Sequence, residues 1–341
     1  MIEYLKKDIN YKIISIIGLA KNVSKTTTLN YIIRNIGTQT TLGLTSIGRD
    51  GEKYDILTNL PKPKIYITTG TYVATAKQCF EESSIKFEII KNTGFNTPLG
   101  EIMILKALSE GYIELAGPSI NSRLSKICSD LKDLGCDLIL VDGAFDRRSY
   151  ATPLISDATI LSTGASVSRN MNDVINITLH TIRLLGLEEE KDEEIRTLSK
   201  NILSKSKVAI ITKTHSVKIL DVETALDSAK DIIEKLDDNS KYVVINGAIT
   251  DNLLEDLMKY SQKCKGVSLL VEDGTKLFFS KNTTNKFQKK GGILKVLNPI
   301  NIIAVTINPT SPYGYEFNKD KFLKSLTEEL DIPVYNLGVN D

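Results

Sequence analysis

The run Ile13-Ile14-Ser15-Ile16-Ile17 ends at Gly18, crosses the turn Leu19-Ala20-Lys21-Asn22-Val23-Ser24 and opens a helical stretch with Lys25-Thr26-Thr27. An apolar strand that flows through a short turn into a helix is the repeating unit of parallel sheets, because a helix has to carry the chain back to the sheet's starting edge. The same geometry makes an anion cradle. Backbone N–H groups at the helix start point into the turn, and the helix dipole adds positive potential there. Lys25 supplies an ammonium for outer phosphates, and the Thr26 hydroxyl a ligand for Mg²⁺. We therefore expect Gly18, Asn22, Val23, Ser24, Lys25, Thr26 and Thr27 to line a bound nucleotide. Five residues separate Gly18 from Ser24, where the usual pattern has four, and Ser24 stands where the second Gly is expected. A Cβ at that point crowds the turn or strains it. The alternative is a strand–turn–helix that merely carries Lys-Thr.

A second run, Leu138-Ile139-Leu140-Val141, ends in Asp142-Gly143. Four apolar residues in a row read as a strand buried on both faces, and an acid at its carboxyl end belongs to the crevice where such sheets bind ligands. Asp142 is the expected Mg²⁺-side carboxylate; the alternative is a turn Asp before Gly143.

The chain has 341 residues, enough for one large or two medium domains, with 41% hydrophobic and 25% charged residues. Lys+Arg 43 against Asp+Glu 42 leaves no global field for nucleic acid or an anionic membrane. No apolar run is long enough for a membrane helix, and the start Met1-Ile2-Glu3-Tyr4-Leu5-Lys6 lacks a secretory pattern, so a cytoplasmic location is expected. Cys79, Cys128, Cys136 and Cys264 show no metal spacing and fit reduced thiols. With only His180 and His215, a multi-histidine metal centre is excluded, and His180 reads as structural.

Apolar runs predict strands near 12–17, 40–46, 64–68, 86–90, 112–115, 137–142, 158–163, 207–212, 241–246, 267–271 and 301–306. Helices are expected near 25–36, 72–83, 99–109, 119–134, 170–186, 219–237, 251–264 and 318–330. The alternation predicts an α/β fold, a doubly wound and mostly parallel sheet, with a C-terminal α/β extension. The acidic stretch 188–194 reads as a solvated helix start or connector. It suggests a nucleotide-binding domain over 1–190 and a second part over 191–341, packed on or continuing the same sheet. Residues 280–292 read as a mobile loop or polar hairpin.

Residues 18–26, with Val141-Asp142-Gly143-Ala144 and the strand 158–162 followed by 170–185, make the first 190 residues resemble the dethiobiotin synthetase and cobyrinic acid amidase branch of P-loop NTPases. That resemblance implies a P-loop NTPase fold and Mg²⁺ with ATP or GTP. It also sets Asn246 at a base-reading position, although Asn246-Gly247 reads more readily as a routine turn. The synthetases' Lys-Pro-Val substrate segment is replaced here by Thr45-Ser46-Ile47-Gly48-Arg49-Asp50-Gly51-Glu52, and Phe145-Asp146-Arg147-Arg148 replaces their Gly-Gly. Over its whole length the chain is similar to the accessory NTPase-like subunits encoded with adenosylcobalamin-dependent lysine 5,6-aminomutase in lysine-fermenting anaerobes. Gly18-Leu19-Ala20-Lys21-Asn22-Val23, Gly48-Arg49-Asp50-Gly51-Glu52, Asp142-Gly143-Ala144 and Asn308-Pro309-Thr310-Ser311-Pro312-Tyr313-Gly314-Tyr315 carry the likeness. It implies a reactivating factor that works on a mutase with a second ATPase subunit. The cobalamin-ligand pattern Asp-x-His-x-x-Gly is absent.

Asp50, just past the second strand, is expected to contact Mg²⁺ or orient water, with an ordinary loop Asp as the alternative. Lys21 reaches either the phosphates of its own site or those of a neighbouring subunit in a nucleotide-bridged homodimer; otherwise it is a solvated lysine. Arg49, Arg147 and Arg148 are further phosphate or partner contacts, or surface residues. Polar strand ends at 68–71, 163–166 and 246–247 are candidates to line the crevice. The segment 308–315 suits a rigid loop or a base-stacking lid. Three functions fit: an NTP hydrolase that acts on a partner, a ligase that activates a small carboxylate with ATP, and a non-catalytic nucleotide-binding module.

Overall fold

The computed structural model describes residues 1–7, 11–48, 64–143, 155–259 and 265–337. Arg49, Asp50, Gly51, Glu52, Arg147, Arg148 and Cys264 lie outside the described residues. The chain divides into two compact units, Met1–Leu179 with Asn301–Asp341, and His180–Ile300.

The first unit contains β1 (Ile13–Gly18), β2 (Leu42–Ser46), β3 (Ile65–Ile67), β4 (Tyr72–Ala76), β5 (Phe87–Thr97), β6 (Gly100–Ala107), β7 (Gly111–Ile113), β8 (Leu138–Asp142) and β9 (Ala158–Gly164). The second contains β10 (Val208–Thr212), β11 (Val217–Leu220), β12 (Ser240–Ile245), β13 (Ile249–Thr250), β14 (Ser268–Val271), β15 (Leu277–Phe278) and β16 (Ile293–Val296). The chain then returns to the first unit with β17 (Ile302–Asn308) and β18 (Val334–Asn336). A single cut near 190 is therefore corrected. The second unit is an insertion, and the last strands continue the first sheet because β17 pairs in parallel with β9.

The large sheet has the order β18-β17-β9-β1-β8-β2-β4-β6-β5. Strands β18 through β4 run parallel, and β6 and β5 close one edge as an antiparallel hairpin. The expected α/β class with a mostly parallel sheet is observed. Beyond β1 the order reverses: β8 lies on one side of it, and the next strand, β9, on the other. In such sheets the crevice at the reversal is the usual ligand position.

The helix Lys25–Asn35 buries Thr28, Leu29, Ile32 and Ile33, one stripe at helical spacing, against Ile14, Ile16, Leu42, Leu44, Leu138 and Leu140. On the opposite sheet face, the helix Asn121–Asp133 sets Leu124, Ile127 and Leu131 against Ile13, Ile139 and Val141. Both faces of the central strands are covered, which is why they read as continuous apolar runs.

Several elements differ from expectation. Residues 99–109 are not a helix but contain β6, in which Ile102, Met103, Ile104 and Leu105 are all buried. A short apolar run buried on both sides has no period that separates strand from helix. Residues 72–83 split into β4 and a short helix, Lys77–Glu81, and 219–237 holds a helix only at Ala229–Lys235. Residues 280–292 contain the helix Lys281–Lys289, started by Ser280, whose hydroxyl accepts from the Thr283 amide, and anchored by buried Phe287.

The inserted unit has its own sheet, β11-β10-β12-β14-β16, and its own core. Its acidic entry is not fully solvated. Asp192 caps the helix Glu193–Lys205, as a helix start there predicts, but Glu190 is only 4% exposed. The Glu190 carboxylate accepts from the Asp192 amide at 3.0 Å and pairs with Lys295 at 3.1 Å. Burial pushes this carboxyl up, but the Asp192 amide, the Tyr242 hydroxyl and Lys295 outweigh it and hold Glu190 below the ordinary carboxylate range. A depressed pKa contributes stability above the unfolded-state value and loses it as the pH falls through the folded-state value. Glu190→Gln is expected to cost about 3 kcal/mol at pH 7, measured by urea unfolding, and progressively less as the pH falls below the ordinary carboxylate range, where the unfolded chain takes up the proton that the folded one resists.

Candidate functional site

Parallel pairing sets Ile16 of β1 opposite Asp142 of β8, and Gly18 opposite Ser162 of β9. The Gly143 amide donates to the Ile16 carbonyl at 2.9 Å, and the Leu19 amide to the Ser162 carbonyl at 3.0 Å. Past Leu19 the chain leaves the sheet and turns into the helix that starts at Lys25.

The turn holds two non-glycine residues in the left-handed region, Asn22 at φ 58° and Ser24 at φ 67°. Ser24 therefore takes the backbone conformation that the expected glycine would supply, at the cost that a Cβ brings there. It is the N-cap residue of Lys25–Asn35, yet its side chain makes no capping hydrogen bond. Its carbonyl instead accepts from the Thr28 amide at 2.9 Å and the Thr28 hydroxyl at 3.0 Å. Lys25 folds back over the turn and donates to the Ala20 carbonyl at 3.3 Å. A Cβ on Gly18 would stand 2.7 Å from Val23 Cγ2 and 2.9 Å from Lys25 Cδ, so a larger residue there would push the Val23 and Lys25 side chains out of place.

Side chains alternate along a strand, which gives the sheet face under this helix a definite end. Leu140, Ile160 and Ala304 belong to the apolar cluster under the helix; two residues later on each strand stand Asp142, Ser162 and Thr306. On β2 the step runs from Leu44 to Ser46, and on β1 from Ile16 to Gly18. The apolar floor thus gives way to a polar or side-chain-free row at the carboxyl rim, on the face where the helix begins. Thr28 and Thr306 share a hydrogen bond at 2.9 Å, in which the Thr28 oxygen accepts because its proton goes to the Ser24 carbonyl, and Thr306 and Ser162 share another at 2.8 Å. This buried chain of hydroxyls ties the helix start to two strands.

Outside the row, the Asn22 carbonyl accepts from Ser166 Oγ at 3.1 Å and from Asn308 Nδ2 at 3.0 Å. On the β2 side, the segment 115–118 crosses the strand ends. The Gly117 amide donates to Ser46 Oγ at 3.1 Å, and the Pro118 carbonyl accepts from the Gly48 amide. A Cβ on Gly117 would lie 1.7 Å from the Ser46 carbonyl oxygen, so this approach is closed to every other residue.

Of the expected site residues, Gly18, Lys21, Asn22, Val23, Ser24, Lys25, Thr26, Thr27 and Asp142 meet at one rim of one sheet. Asp142 lies on the strand next to β1 and on the helix-bearing face. Thr26, Thr27, Lys25 and Asp142 are half-buried, whereas Val23 is buried in the turn. Thr26 and Asp142 offer hard oxygen ligands of the kind Mg²⁺ takes. No group of three or more His, Cys, Asp or Glu side chains is placed to hold a metal among the described residues. Residues 163–166 reach the rim through Ser166. The turn 68–71 does not, because it precedes β4 and so lies at the opposite edge of the parallel sheet. Asn246 is spent on structure: its amide donates to the Leu203 and Ser206 carbonyls at 2.6 and 3.1 Å. His180 likewise binds the Phe279 carbonyl. Burial pushes the Cys128 and Cys136 thiols up to about 12, so neither is a nucleophile at neutral pH. Thr28, Ser162, Thr306 and Gly117 were not anticipated. The one signal for Ser162 and Thr306 is the change from apolar to polar, two residues apart, at strand ends; Thr28, within the helix Lys25–Asn35, carries none.

Fold and site together define an α/β protein whose polar strand ends and helix start converge at the point where strand order reverses. The chain matches no protein-family model and no curated protein. Among the described residues, no helix is long and apolar enough to cross a membrane.

Ser24→Gly is expected to raise stability by about 0.5–1 kcal/mol, since it removes a left-handed non-glycine residue and loses only part of that gain to chain entropy; thermal unfolding measures it. Gly18→Ala is expected to lower the melting temperature by several degrees, about the shift for a clash costing 1–3 kcal/mol.

Proposed function

We propose that this chain is a Mg²⁺-dependent, nucleotide-binding P-loop NTPase with ATP favoured. The observation that carries the reading is the parallel register of β1 with β8, which sets the Asp142 strand beside the strand that feeds Lys25-Thr26. In this reading the amides of the turn and of the first helical residues bind the phosphates, and Lys25 exchanges the Ala20 carbonyl for a phosphate oxygen. Thr26 and Asp142 would hold the metal, which supplies charge neutralisation for phosphoryl transfer. Asp50, expected to position water, lies outside the described residues. Hydrolysis is expected to be slow in the isolated protein.

The biological role we propose is that of an accessory or reactivating factor for an adenosylcobalamin-dependent amino-acid mutase such as lysine 5,6-aminomutase. It rests on the likeness of the sequence phrases at 18–23, 48–52, 142–144 and 308–315. A nucleotide-driven change in the grip on such a partner needs contacts that differ between the triphosphate and diphosphate states, and the turn 18–24 and the residues that follow Asp142 in sequence are the segments that would make them.

Calorimetric titration with ATP and GTP is expected to detect binding that depends on Mg²⁺, weakened about 100-fold or more by Lys25→Ala and made insensitive to Mg²⁺ by Asp142→Asn. Equal binding by wild type and Lys25→Ala would reject the assigned loop. Adding the protein with Mg-ATP and fresh cofactor to an inactivated mutase is expected to restore its turnover; no recovery would remove the reactivation role and leave nucleotide binding standing.

A further inference from the structure

The turn 18–24 carries no glycine after Gly18, yet its backbone enters the left-handed region at both Asn22 and Ser24. Asparagine tolerates that region and serine enters it at a cost, so two such residues within one turn gain from contacts that come from outside it. Within the turn, Lys25 reaches the Ala20 carbonyl and the Ser24 carbonyl is taken up by the helix. Leu19 at the start of the turn is tied to the Ser162 carbonyl, and beyond it two contacts from outside meet on the carbonyl of Asn22. They come from Ser166, just past the end of β9, and from Asn308, the last residue of β17.

Asn308 is itself held in place. Its Oδ1 accepts from the Thr310 amide at 3.1 Å, which turns the NH₂ group of the same amide toward Asn22. Its carbonyl accepts from the Ala165 amide at 2.8 Å, so the two donors are tied to each other as well as to the turn. The Tyr315 hydroxyl donates to the Ala165 carbonyl at 2.5 Å and adds a third tie between the two segments. Gly164 stands so close to Asn308 that a Cβ there would lie 2.3 Å from the Asn308 carbonyl.

We propose that Ser166 and Asn308 are positioning residues for the phosphate loop: by binding the Asn22 carbonyl they hold residue 22 left-handed and aim the following amides at the ligand. The inference rests on the nucleotide-binding reading and adds to it a pair of residues that touch no phosphate yet set the affinity. It also places the control of the loop on the two sheet strands between which the inserted unit enters and leaves, since Ser166 precedes and Asn308 follows His180–Ile300 in the chain.

A double-mutant cycle on Mg-ATP affinity tests it, with Asn22→Gly as the second change. Glycine adopts a positive φ at no steric cost, so it should make the clamp unnecessary. Asn308→Ala is expected to weaken binding about tenfold in the wild-type background and less than about twofold in Asn22→Gly, with the melting temperature of Asn308→Ala and Asn22→Gly/Asn308→Ala shifted alike. A general structural defect would weaken binding equally in both backgrounds, and that result, or unchanged affinity in Asn308→Ala, would overturn the inference while leaving the nucleotide reading intact. Should Asn308→Ala fail to fold, the same cycle with Ser166→Ala decides. Absence of binding by the wild-type protein would instead overturn the loop assignment, and the clamp with it.

Discussion

Hydrogen bonds to β8 on one side and β9 on the other hold β1 in the middle of a parallel sheet, and the candidate site follows from that confinement. A strand paired along both edges leaves its chain no route onward within the layer. After Gly18 and Leu19 the backbone must rise out of the sheet, and the helix Lys25–Asn35 has to lie back over the strands it came from. Its apolar stripe fixes where it lies, and thereby where its first turn ends up, above the row formed by Ser46, Asp142, Ser162 and Thr306. The hydrophobic contacts thus act at a distance on the polar chemistry. They decide which amides share the rim with which carboxylate, without touching either.

The polar row has an energetic logic of its own. Hydroxyls in so buried a position must be paired, and Thr28, Ser162 and Thr306 satisfy one another rather than water. Such a chain cannot slide by one residue, since a slip would leave several groups unpaired at once. The register of β17 on β9, and of the helix on both, is specified by polar atoms where leucines and isoleucines would have allowed alternatives.

The parts of the molecule that could be read from the sequence are those in which one residue type repeats or breaks a pattern locally. Ile13–Ile17 is legible as an apolar strand and Leu138–Val141 as a strand buried on both faces, with Lys25-Thr26 and Asp142 as the polar groups that follow them. The run Ile102–Leu105 was misread because burial on both faces removes the alternation that marks a strand. Residues 280–292 were misread because their polar surface hides one buried Phe287 and a Ser280 cap. Neither the return of β17 to the first sheet nor the pairing of Asn308 with Asn22 leaves any local trace. A single hydrogen bond between residues 286 positions apart has no periodicity to detect.

That separation bears on how the protein is made. On the ribosome, residue 22 emerges 286 residues ahead of Asn308, and the whole of the inserted unit, with a sheet and core of its own, is synthesised in between. Domains generally fold as units during synthesis, so the insert can be complete while the sheet that surrounds β1 still lacks β17. The turn is consequently born early and finished late, and pairing over so long a stretch of chain is a slow, entropy-limited step in folding. A nascent chain arrested within the insert would carry every residue of the motif and none of the support from β17.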